Sequence, residues 1–184
     1  KFQISIIGIY QLNQSNMLAQ KTISLIIIIV IGIAVNLTII KLLLSKLYKN
    51  VDDNTFNKSS FLIEFASLFI SSSIVFSKSL YAANEAIDTI LKLRLPNTFF
   101  EIVKVNAVYF GLNILWLLVL YLISIPLTSI VMSNRIQKTE MDNNNYSFFL
   151  LKGLILLGLI IISLSLQESI LKVFMPSIST PIFH

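Results

Sequence analysis

One uncharged run, TISLIIIIVIGIAVNLTII at residues 22–40, constrains the fold more than any other part of the sequence. Its 19 residues are close to the roughly 20 that an apolar helix needs to cross about 30 Å of hydrocarbon. Isoleucine and valine would also suit a buried strand in water. Lipid, however, offers the backbone no outside hydrogen-bond partners, so a spanning segment has to be helical. The run therefore predicts a transmembrane helix over about residues 22–44.

Three further apolar segments, over about residues 59–83, 99–134 and 147–170, are also long enough to span a membrane. Only 12% of the residues are charged and 55% are hydrophobic, whereas about 25% of the residues in soluble domains are charged. A chain with so little polar surface buries its apolar excess in lipid or against a large partner, and lipid is the simpler answer. We therefore expect an all-α, polytopic integral membrane protein with four transmembrane helices over residues 22–170.

Two terminal segments flank this domain. Residues 1–21 contain FQISIIGIYQL, which is apolar but too short to span, and we expect an interfacial helix or a segment docked against a partner. Residues 171–184 form a C-terminal tail. Between the second and third spans, AANEAIDTILKLRL has one apolar helical face and predicts an extension of the second helix out of the membrane.

The chain also looks like two copies of one unit, each made of a long apolar helix, a polar loop and a more polar helix. An offset of 88 residues (149 minus 61) places Phe61 on Phe149 and Glu64 opposite Lys152. An ionisable side chain within a span usually faces the bundle interior and pairs. We therefore expect an ion pair between Glu64 and Lys152. The alternative is that both lie near the interface and extend to water without meeting.

Other polar side chains within the second and fourth spans are candidates for intramembrane contacts; they are Ser67, Ser71, Ser77 and Glu168. Serines permit close helix packing and interhelical hydrogen bonds, and together with the glutamates they would line a hydrated route in an ion pathway. Pro126 lies within the third span and predicts a helix bend, because proline removes a backbone donor. Tyr48, Tyr81 and Tyr146 lie near span ends and fit an interfacial aromatic belt.

The two-unit, four-span layout resembles the YjfL-like family of uncharacterised bacterial inner-membrane proteins. The resemblance rests on this layout and on two Asn-containing loops, KNVDDNTFN at 49–57 and KTEMDNNNY at 138–146, which precede the second and fourth spans. It covers most of the chain from Thr22 to Ile170. It implies a four-helix membrane fold, and it brings neither a known activity nor catalytic residues.

Residue counts narrow the classes of function. The sequence contains no cysteine, and its one histidine, His184, is the last residue. Thiolate or imidazole metal clusters and a serine–histidine triad are therefore not expected, and we predict neither an enzyme nor a bound cofactor. The net charge of +5 suggests contact with anionic headgroups rather than with nucleic acid.

Two classes of function remain. The first is a non-catalytic subunit or scaffold of a larger membrane complex, whose partners are the lipid bilayer and other membrane subunits. The alternative is a component of an ion or proton pathway that acts as an oligomer. The high content of isoleucine, asparagine, lysine and serine is typical of an AT-rich genome, which fits a bacterial inner membrane or, alternatively, a mitochondrial inner membrane.

Overall fold

A computed structural model describes residues 2–48, 58–93, 97–133 and 135–176, and for residues 2–18 and 20 it describes the backbone alone. Within these ranges the secondary structure is entirely helical: α1 (Phe2–Leu47), α2 (Ser59–Leu93), α3 (Thr98–Val131), the short α4 (Gln137–Asp142) and α5 (Tyr146–Val173). All but α4 are long and apolar enough to cross a membrane. The predicted all-α, four-span fold is therefore confirmed.

Helices α2 and α5 run parallel to each other and form the most extensive contact of the bundle. Near their first residues, the Ser60 amide donates to Asn144 Oδ1 at 3.0 Å, and further along both helices Gln167 Nε2 donates to the Val75 carbonyl at 3.0 Å. We call the end at which α2 and α5 begin the loop end of the bundle. Helices α2 and α5 are the second and fourth spans. They run in the same direction because successive spans cross a membrane in alternating directions.

Helices α1 and α3 run antiparallel to α2. Lys21, in the first half of α1, pairs with Asp88 near the end of α2, and Tyr121, in the last third of α3, bonds to Glu64 near the start of α2. Helix α3 packs against both α2 and α5, whereas α1 packs mainly against α2 and only slightly against α3. The four spans therefore pass up and down in turn, with α2 at the centre.

Buried positions of α2 match buried positions of α5 that lie 88 residues later (149 minus 61), the same offset that relates their sequences. Phe61 and Phe149 are both buried, and so are the matching pair Leu68 and Leu156. Both pairs belong to the largest hydrophobic cluster, which also includes Ile160. The two units nevertheless differ in packing, because α3 packs against both α2 and α5, whereas α1 packs mainly against α2.

Several boundaries differ from those expected from hydropathy. Helix α2 continues to Leu93, as the amphipathic pattern after its span predicts. Residues 2–47 form one helix of 46 residues, so the segment before Thr22 is joined to the first span without a break. Pro126 lies inside the continuous α3, and the bend there stays a prediction. The loop 49–57 and the tail beyond residue 176 lie outside the described residues.

Candidate functional site

A buried ion pair joins the two central helices near the loop end. Lys152 Nζ lies 2.6 Å from Glu64 Oε1, and each side chain is only 2% exposed. Both residues lie in the second turn of their helices, α2 and α5, on the faces that pack together. The structure thus brings Glu64 and Lys152 together, and neither side chain extends to water.

Three more side chains complete a hydrogen-bonded cluster around this pair. Tyr121 of α3 donates its hydroxyl to Glu64 Oε1 at 2.7 Å, and it accepts a bond of 2.7 Å from Lys152 Nζ. Lys152 also donates to Gln137 Oε1 at 3.0 Å. Gln137 Nε2 in turn donates to the Tyr48 hydroxyl at 2.7 Å. We call Glu64, Lys152, Tyr121, Gln137 and Tyr48 the ionic network.

The network balances its charge and satisfies every donor of Lys152. The Lys152 ammonium has three protons and three acceptors, on Glu64, Tyr121 and Gln137. An unpaired charge inside a membrane bundle costs roughly 2.5 to 3.5 kcal/mol or more, and a half-satisfied polar cluster is worse than an apolar core. Because its members come from α1, α2, α3, α4 and α5 or from residues next to them, the network holds all four spans in one arrangement.

Hydrogen bonds in the connection between α3 and α5 fix the position of Gln137. Asn145 caps α5 by accepting a bond from the Phe148 amide, as asparagine commonly does at this position. Its amide nitrogen donates to the Glu140 carboxylate of α4. Lys58, just before α2, donates to the last two carbonyls of α4. These bonds tie α4, which begins at Gln137, to the starts of both central helices.

A pocket of about 350 Å³ opens beside the network, between the end of α1, the end of α3, the loop before α4 and the start of α5. Its basic residues are Arg135, Lys138 and Lys152, and it reaches the network at Tyr48. We call this cavity the basic pocket. Burial, with the negative charge of Glu64, raises the pKa of Tyr48 above its ordinary value, so this phenol keeps its proton.

Glu168 is not part of the network. It lies at the other end of α5, half-exposed, and pairs with Lys172 at 2.8 Å and Lys78 at 3.4 Å. Sixteen residues separate it from Lys152 on the same helix (168 minus 152), which is about 24 Å along the helix axis. The two glutamates therefore mark opposite ends of the bundle.

The three predicted serines do not form one polar line. Ser67 and Ser77 donate to carbonyls of their own helix, those of Ile63 and Ile74, and Ser77 is exposed. Ser71 is buried, and its hydroxyl has no hydrogen-bond partner among the described residues. Serine hydroxyls are readily satisfied by the preceding helical turn, and the hydrated route that Ser67, Ser71 and Ser77 were expected to line stays a prediction.

Sequence reasoning missed three members of the network. Tyr48 was expected in an interfacial belt but is buried, whereas Tyr81 and Tyr146 are exposed. Tyr121 had a signal, since a phenol within an apolar span needs a partner for its hydroxyl. Gln137 had none, because it lies outside every predicted span.

Other chemistry is sparse in the part of the chain that the structure describes. Among these residues no group of three histidine, cysteine, aspartate or glutamate side chains is arranged to hold a metal ion. No family model, curated protein or solved structure matches the chain. The resemblance to the YjfL-like family therefore stays a prediction.

Proposed function

We propose that this multi-pass membrane protein is a non-catalytic subunit or scaffold of a larger membrane complex. The observation that carries the proposal is the length of α1. At 46 residues it extends about 69 Å, more than twice the roughly 30 Å thickness of the hydrocarbon core. A helix of this length reaches well beyond the span that its own bundle needs.

The excess lies at the N-terminal side of Lys21. Lys21 Nζ pairs with Asp88 Oδ1 at 2.7 Å, which fixes α1 against the last turns of α2. Nineteen residues of α1 precede Lys21, whereas α2 continues for only five residues after Asp88. Since the two helices are antiparallel, α1 extends about 14 residues, or about 20 Å, past the end of α2.

Residues 2–20, most of which extend past the end of α2, are here called the N-terminal arm. It contains no charged residue, and its first half is the apolar FQISIIGIY. Apolar side chains on a helix have to be covered by lipid or by protein. Because no break separates the arm from the span, the arm continues in the direction of α1 rather than turning along the membrane surface. A helix of another membrane subunit is the partner that fits such an arm.

The ionic network supports a structural role over an ion pathway. A pathway would need polar side chains between Glu64 and Glu168. The fully buried side chains between them on the central helices include the polar Ser71 and Ser72, but the apolar Leu68, Val75 and Ile160 interrupt any polar line. Paired, hydrogen-bonded charges of this kind fix a helix arrangement. This structural role is sufficient for a subunit or scaffold.

We also propose a bacterial inner membrane as the location, with a mitochondrial inner membrane as the alternative. The support is the family resemblance and the amino-acid usage of the chain.

The test is gentle extraction from the native membrane, followed by native mass determination and identification of the proteins that co-purify. The arm variant is I6S/I9S. The control is Val173→Ser, which changes a 79% exposed valine at the end of α5, on the same side of the bundle as the arm. A stoichiometric membrane partner should accompany the wild type and the control and be lost from the arm variant. Recovery of the wild type without any other protein would contradict the proposal.

A further inference from the structure

The basic pocket has the chemistry of a binding site, and the ionic network does not account for it. We propose that this pocket binds the phosphate group of an anionic phospholipid. The proposal is independent of the N-terminal arm and of any protein partner, because the pocket lies at the opposite end of the bundle.

Two basic side chains of the pocket are available to a ligand. The three protons of Lys152 are already used within the network. Arg135 has a half-exposed side chain, and its single described bond, to Glu140, is long at 3.5 Å, so most of its five N–H donors are free. Lys138 is exposed, and no ion pair joins it to another described residue. No acidic side chain is among the described residues that line the pocket.

The basic pocket also contains neutral hydrogen-bond donors. The Tyr48 hydroxyl accepts from Gln137, and no hydrogen bond among the described residues uses its own proton. Its raised pKa keeps that proton in place, so the phenol can donate to an anion. Ser129 contributes a second hydroxyl to the lining. Guanidinium, ammonium and hydroxyl donors together are the groups that hold phosphate oxygens in proteins.

The rest of the wall is apolar and favours a lipid over a free ion. Leu47, Ile125, Ile136 and Phe148 line the same pocket. Its walls come from the last residues of α1, the end of α3 and the start of α5, which is where spans meet the headgroup layer. Basic pockets between transmembrane helices on the cytoplasmic or matrix side of a membrane bind anionic lipid heads. Inorganic phosphate would leave the apolar surface uncovered.

The experiment uses the purified full chain in a neutral detergent and measures lipid binding by native mass spectrometry. The probes are phosphatidylglycerol and phosphatidylcholine with identical acyl chains. The pocket variant is R135Q/K138Q. The control is K41Q/K46Q, which removes the same charge from two exposed lysines in the last turns of α1 without changing the lining of the pocket.

We expect the wild type to prefer phosphatidylglycerol, and the pocket variant to lose about 30-fold in affinity, since each basic residue near an anionic surface contributes roughly a factor of five. The control should lose less than about threefold, because its charges act only from a distance. Equal losses in both variants would show non-specific attraction and overturn the proposal. Displacement of the lipid by millimolar inorganic phosphate would assign the pocket to a free anion and overturn its assignment to a phospholipid.

Discussion

Removing one charge of the buried pair should destabilise the bundle far more than removing both. In Glu64→Gln, the Lys152 ammonium stays buried among α2, α3 and α5 but loses the carboxylate 2.6 Å away. An uncompensated charge left by breaking a buried pair costs about 3–5 kcal/mol. Lys152→Met should cost a similar amount, because Glu64 then keeps only the bonds from Tyr121 and Gln137.

The double variant E64Q/K152M carries no buried charge. Replacing a buried ion pair by well-packed hydrophobic side chains of similar volume is often neutral or stabilising by about 1–4 kcal/mol. The new glutamine can still accept a hydrogen bond from Tyr121. We therefore expect the free energy of unfolding of the double variant to lie within about 2 kcal/mol of the wild-type value. The two single losses would sum to about 6–10 kcal/mol, so the predicted coupling between the residues is several kcal/mol.

The assay is reversible unfolding in mixed micelles at increasing fractions of a denaturing detergent. Trp116, the one tryptophan of the chain, packs against the main hydrophobic cluster and reports the transition by its fluorescence. Lys78→Met is the control, because its pair with Glu168 is half-exposed and Lys172 remains beside that carboxylate. The coupling would be refuted if the double variant lost the sum of the two single losses in stability. It would also be refuted if the charge-exchanged variant E64K/K152E were no more stable than Glu64→Gln or Lys152→Met.

Two further predictions use the same assay with matched pairs of variants. Tyr121→Phe should lose about 1.5–3 kcal/mol, since its hydroxyl bonds both charged groups, whereas Tyr81→Phe at an exposed position should change little; equal effects would contradict the bridging role. In Gly153→Ala the new methyl group would overlap the Ser67 hydroxyl and lie 2.8 Å from its Cβ, which should cost about 1–3 kcal/mol. Gly158→Ala meets nothing within 4 Å and should be neutral or slightly stabilising; a loss as large as that of Gly153→Ala would show that the α2–α5 contact is not the cause.

The spans and the central ion pair could be predicted from the sequence, because each has a strong local sequence signal. An uncharged run such as residues 22–40 has few alternatives to a transmembrane helix. Glu64 and Lys152 stood out as ionisable residues in apolar surroundings, and the repeat offset placed them opposite each other. Their contact requires α2 and α5 to be parallel neighbours, which two units of equal orientation provide.

The rest of the network depends on packing that local patterns do not encode. Tyr121 reaches Glu64 because α3 crosses α2 in the antiparallel direction, and nothing in the span itself fixes which face it presents. Gln137 begins α4, which is held by the bond from Asn145 to Glu140 and by the Lys58 bonds to its last carbonyls. Serine positions were equally poor guides, because Ser77 satisfies its hydroxyl within its own helix and needs no neighbour.

The most direct test of the proposed subunit role is photo-crosslinking in the native membrane from the N-terminal arm. A photoreactive residue would replace Ile7 in the arm and, in a separate control protein, Val173 at the end of α5. The account predicts that the arm position yields a crosslink to one other membrane protein and that the control position yields mainly lipid adducts. Only lipid adducts from both positions would contradict it, because the arm would then lie in lipid with no protein partner.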